Sequence, residues 1–140
     1  MSYFLWSHWT KKALFALIGI VLMYSWIGFK FVEPKLFPVV SDFQIKVFRT
    51  NNTSLFIAGV MRKDRDCDIK YVTVYDNSGT PPRMLDIEFS ETANIVNRQV
   101  GYQAYGDWII TPKSKNIVIT AHHECSTGEV KTVLFNGVVQ

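Results

Sequence analysis

Residues 13–29 (ALFALIGIVLMYSWIGF) carry no charge, and they are fenced by Lys11 and Lys12 in front and by Lys30 behind. At a rise of about 1.5 Å per residue such a run makes a helix of about 25 Å. It approaches the roughly 30 Å hydrocarbon thickness of a bilayer when Trp9 and Phe31 take the two interfaces. Backbone polar groups in hydrocarbon are satisfied only within a helix or a closed barrel, and one segment cannot close a barrel. The expectation is therefore a single transmembrane α-helix over residues 13–32, preceded by a short aromatic and basic segment, residues 1–12.

Charge sets the expected orientation. All 12 acidic residues lie at or beyond Glu33, and the formal charge of +3 is the charge of Lys11, Lys12 and Lys30. Two lysines precede the run and one follows it, closely joined by Glu33, so the N-terminus is expected in the cytoplasm and the rest of the chain in the periplasm or outside the cell. Trp6 and Trp9 fit an interfacial aromatic belt beside Lys11, Lys12 and Lys30. A cleaved signal peptide is the rival reading, but residues 28–33 (GFKFVE) hold no small-x-small cleavage pattern, and an uncleaved signal anchor fits better.

Residues 33–41 contain Pro34 and Pro38 and read as a stiff linker that ends the helix. Residues 42–140 are enough for one small domain. Their apolar period is two. Phe43, Ile45 and Val47 alternate with Gln44 and Lys46, and Leu85, Ile87 and Phe89 alternate with Asp86 and Glu88. Further strands are expected over residues 54–62, 67–75, 107–111, 116–125 and 130–139, with turn residues at 51–53, 76–82, 112–115 and 126–128. Residues 92–106 are expected to be an irregular crossover or functional loop. Seven short strands in such a length resemble an antiparallel β-sandwich of immunoglobulin-like architecture, although Trp108 and Cys125 do not follow the usual Cys-Trp-Cys order.

The two cysteines, Cys67 and Cys125, fall on separate expected strands. Alternation places Cys67 with Ile69, Tyr71 and Thr73, and Cys125 with His123, Ala121 and Ile119, both sets turned toward the core. Outside the cytoplasm an even cysteine count reads as a disulfide, here across the sandwich. The alternative is a copper or zinc site drawn from Cys67, His123 and Cys125. Adjacent His122 and His123 point to opposite faces, which leaves that set without a fourth ligand. His122, His123 and Glu124 then read as an exposed or half-buried strand end.

Other chemistry finds no support. Asp64, Asp66 and Asp68 alternate like a calcium loop, but Ile69 and Tyr75 stand where Gly and Glu are required. There is no phosphate loop, nucleophile elbow or HExxH motif, so neither an enzyme nor a bound cofactor is expected. A domain near zero net charge without a basic stripe makes nucleic acid a poor partner. Asn51 and Asn52 begin overlapping glycosylation sequons in a turn. The expected role is an interaction or assembly module of a membrane or envelope complex, whose partners are the bilayer and other membrane or envelope proteins; self-association is compatible with it. Arg98, Tyr102, Tyr105 and Trp108 are the candidate contact residues, being types enriched at interface hot spots. The competing readings are a membrane-active or regulatory factor, such as a phage lysis or exclusion protein, and a copper or redox protein.

Overall fold

The computed structural model describes residues 3–90 and 99–140, in two compact units, Met1–Phe37 and Pro38–Gln140. The first unit is one helix, α1 (Tyr3–Leu36), and within it Lys11–Phe29 is long and apolar enough to cross a membrane. The helix outruns the uncharged segment at both ends. No proline or glycine interrupts residues 3–12, and Pro34 falls in the last turn, where its missing N–H removes a single bond. The non-helical connector is accordingly shorter than the 33–41 linker read from the two prolines; only residues 37–39 separate α1 from the first strand. The side chains of Trp6, Trp9 and Lys30 lie outside the described residues.

The second unit is all β: β1 (Val40–Thr50), β2 (Leu55–Lys63), β3 (Asp68–Asp76), β4 (Arg83–Phe89), β5 (Gly101–Thr111), β6 (Asn116–Cys125) and β7 (Gly128–Val138). They form a curled antiparallel sheet in the order β1-β2-β5-β4-β3-β6-β7. β4 is the joint. Its first half pairs with β3 (Val74 opposite Leu85) and its second half with β5 (Phe89 opposite Trp108), so the strand leaves one neighbour as it joins the other. The inner faces of the two halves meet around Trp108, Leu55, Ile57, Leu85, Ile117 and Ile119.

Four strands carry an extra residue, and each insertion resets which side chains point inward. On β3, Ile69 pairs with His123 and Tyr71 with His122, leaving Lys70 unpaired between them. The alternation expected from Cys67 through Tyr71 and Thr73 therefore breaks, and Val72 and Val74 take the core positions while Tyr71 is exposed. On β5, Ile57 faces Trp108 and Gly59 faces Tyr105, so Gly106 and Asp107 share the place opposite Ala58. That bulge turns Tyr105 and Trp108, three residues apart, to the same side. β5 also begins at Gly101, within the stretch expected to be irregular. β1 is bulged twice, near Asp42 and at Lys46, and β7 once, at Leu134.

Cys67 and Cys125 form a buried disulfide with their Cα atoms 4.6 Å apart. Asp68 pairs with Glu124, so the cysteines are the next cross-strand pair of neighbouring strands. The bond thus ties β3 to β6 side by side and does not cross between the two halves. Replacing both cysteines by Ser is expected to lower unfolding stability by about 2–5 kcal/mol. Urea denaturation of the oxidised wild type against the double variant measures it, and a wild type equally stable after reduction would contradict the expectation.

Candidate functional site

The four candidate contact residues separate in space. Arg98 lies outside the described residues. Trp108 is 1% exposed and Tyr105 4% exposed. Tyr105 stacks on Phe43 with ring centroids 4.8 Å apart, Trp108 lies 4.8 Å from Tyr105, and Phe89 meets Trp108 edge-on at 5.5 Å. The Tyr105 hydroxyl donates to the Gln44 carbonyl at 3.1 Å, and burial holds its pKa above the ordinary tyrosine range. These two rings are core, a correction to their place in a contact surface. The β5 bulge is the reason, since without it one of them would face outward. Gly59 is fixed by the same packing, because a Cβ there would overlap the Gln44 carbonyl and come 2.9 Å from the Tyr105 hydroxyl.

Tyr102 is the exception, at 67% exposed. Its hydroxyl donates to Asp42 Oδ2 at 2.9 Å, and Gln44 Nε2 donates to Asp42 Oδ1 at 2.6 Å. These two hydrogen bonds, first that from Gln44, hold the Asp42 carboxyl below the ordinary aspartate range. Asp42 sits at φ 50°, a left-handed conformation that costs a non-glycine residue energy and is tolerated best by Asn and Asp. It occupies the first bulge of β1, where that conformation turns its carboxylate toward β5. Arg62 on β2 covers the Tyr102 ring with its guanidinium carbon 5.7 Å from the centroid, and its Nε binds Asp64 at 2.8 Å. An outward tyrosine is thus held by a carboxylate at its tip and a guanidinium over its face. Sequence reasoning found Tyr102 but missed Arg62 and Asp42, which lie 40 and 60 residues away and meet it only through the β1-β2-β5 register.

The alternative metal ligands are arranged otherwise. Both sulfurs are bonded to each other, so Cys67 and Cys125 offer no thiolate to join His123. Nor do the histidines form an exposed strand end. His123 is 0% exposed and points inward; neither ring nitrogen has a hydrogen-bond partner among the described residues. His122 faces the other way, stacked on Tyr71 at 4.1 Å, with Nδ1 3.2 Å from Glu129 Oε1. Lys63, at the end of β2, is 3% exposed, with Nζ 3.8 Å from Asp66 Oδ1. Burial first, then the Lys63 and His122 charges, push the His123 pKa down to about 4.

Two expectations follow from this geometry. Tyr105→Ala should cost roughly 3–5 kcal/mol of stability, whereas Tyr102→Ala should cost about 1 kcal/mol, the scale of one exposed hydrogen bond. Equal losses in thermal or urea melts would contradict the assignment of inner and outer rings. The second concerns pH. His123 binds its proton more readily unfolded, near 6.5, than folded, near 4, so its contribution is intact above 6.5 and lost as pH falls toward 4. The loss amounts to about 3 kcal/mol. Stability measured from pH 7 to 4 should fall less steeply in His123→Leu than in the wild type, and identical slopes would refute the buried neutral histidine.

Set against protein-family models, characterised proteins and solved structures, the chain matches none of them.

Proposed function

We propose that the chain is a single-pass, membrane-anchored interaction module. α1 serves as an uncleaved anchor with its N-terminus in the cytoplasm, and the β unit lies in the periplasm or outside the cell. The reading is supported by the apolar helix, by the lysines before it, and by a buried disulfide, a bond that persists mainly in oxidising compartments. The β unit is taken as an immunoglobulin-like sandwich. Lettered A to G in chain order, its strands run A-B-E-D and C-F-G, the order of that architecture, with D bridging the two groups.

The observation that carries the reading is the exposed Tyr102, braced by Asp42 and covered by Arg62. Tyrosine and arginine contribute disproportionately to protein interfaces, and a ring already held in place loses little freedom on binding. The partner is another membrane or envelope protein met at the membrane surface.

Co-purification in mild detergent tests both parts. Tyr102→Ala and Arg62→Ala should each weaken capture of the wild-type partner by about 1 kcal/mol or more while melting close to the wild type. Full capture by both variants would remove this patch from the interface. In spheroplasts, or in cells whose outer membrane has been permeabilised, a C-terminal tag should be open to added protease, and a tag still shielded there would overturn the topology.

A further inference from the structure

The sheet is curled until its first and last strands touch, yet β1 and β7 share no hydrogen-bonded ladder among the described residues. The reason is parity. Six successive antiparallel pairings separate β1 from β7, so the two edges run in the same direction. Seven strands therefore cannot close into an all-antiparallel ring. One more strand, running opposite to β7, would be opposite to β1 as well and would pair antiparallel with both.

The seam between the edges has the composition such a strand needs. Phe48 of β1 and Leu134 and Phe135 of β7 pack against the core but remain only half-buried. At the far end of β1 lies a cavity of about 200 Å³ floored by Phe48 and Leu55 and rimmed by Lys113 and Lys115. Val139, just beyond β7, donates its N–H to the Lys115 carbonyl, which places this cavity beside the end of β7 too.

The two edges differ. β1 is interrupted by two bulges, the usual way an edge is made unfit for pairing, whereas β7 extends over 11 residues with one bulge and shows Val133 and Val138 to solvent.

We infer that the β1–β7 seam is a strand-acceptor site, which takes an extended partner segment on the β7 edge, antiparallel to β7. The segment carries apolar residues at alternate positions, which cover Phe48, Leu134 and Phe135. Running against β7, it begins at the cavity end, so its N-terminal residues meet Lys113 and Lys115 and include a carboxylate. Seating it widens the seam to two strand spacings, about 10 Å, and the twice-interrupted β1 is the side that yields. Tyr102 lies at the opposite end of β1 from the cavity, where its hydroxyl binds Asp42.

A fluorescent synthetic peptide of about ten residues, the length of a strand, tests it on the full chain in detergent. It has Glu first and Val alternating with Thr thereafter; a second peptide has Lys in place of Glu, and a third is the first with its order scrambled. The Glu peptide should bind about ten-fold tighter than the Lys peptide, and Lys113→Glu combined with Lys115→Glu should invert that preference. Amide exchange should slow along β7. Absence of binding, equal binding of the scrambled peptide, indifference to the charge exchange, or protection that bypasses β7 would each overturn the proposal.

Discussion

The division of β4 between two neighbours is the constraint on which the rest of the β unit depends. A flat seven-stranded sheet of this length would bury one face at most and has no second layer to bury it against. Because β4 pairs with β3 at Leu85 and with β5 at Phe89, the sheet turns through this strand and its inner surface folds onto itself. Leu85, fully buried, sits at the turn itself, opposite Val74 of β3 and one residue before the ladder to β5 begins. The core, the inward histidine and the approach of the two edges all follow from that turn.

Much of the architecture was legible because strands with one wet face advertise themselves by alternation. β6 was bounded correctly at both ends, and the seven strands expected are matched by seven among the described residues. What sequence could not show was where alternation slips. A bulge adds one residue without any change in local composition: Lys70, Lys46 and Leu134 are ordinary strand residues, and only the partner strand reveals that they are extra. Tyr105 and Trp108 were assigned to a surface because tyrosine and tryptophan are enriched at interface hot spots, and only the bulge of β5 turns both of them inward. Gly106 was the available sign, since glycine in a strand often marks such a kink. The beginning of β5 was obscured in the same way, by glycines and polar residues that resemble a loop.

The chemistry of the candidate patch was less legible still. Tyr102 draws its meaning from Asp42 and Arg62, and the chain brings the three together only through two antiparallel registers. The cysteine pair was readable from an even count and from the inward alternation of both residues. Its placement between neighbouring strands was not, because that depends on β3 and β6 being adjacent in a sheet whose order departs from chain order. Alternation did turn His123 inward with Cys125, Ala121 and Ile119, but its place in a polar His-His-Glu run argued for a strand end in contact with water.

The parallel course of β1 and β7 has a mechanical side. The chain enters the sheet at Val40, at one end of β1, and leaves β7 at Val138, at the opposite end of the β unit. A load applied between those points draws β1 lengthwise along β2, so that all the hydrogen bonds of the ladder resist together in shear. A pull that peeled the strand sideways would break them one at a time. A β unit built this way is stiffest along the line that joins those two points.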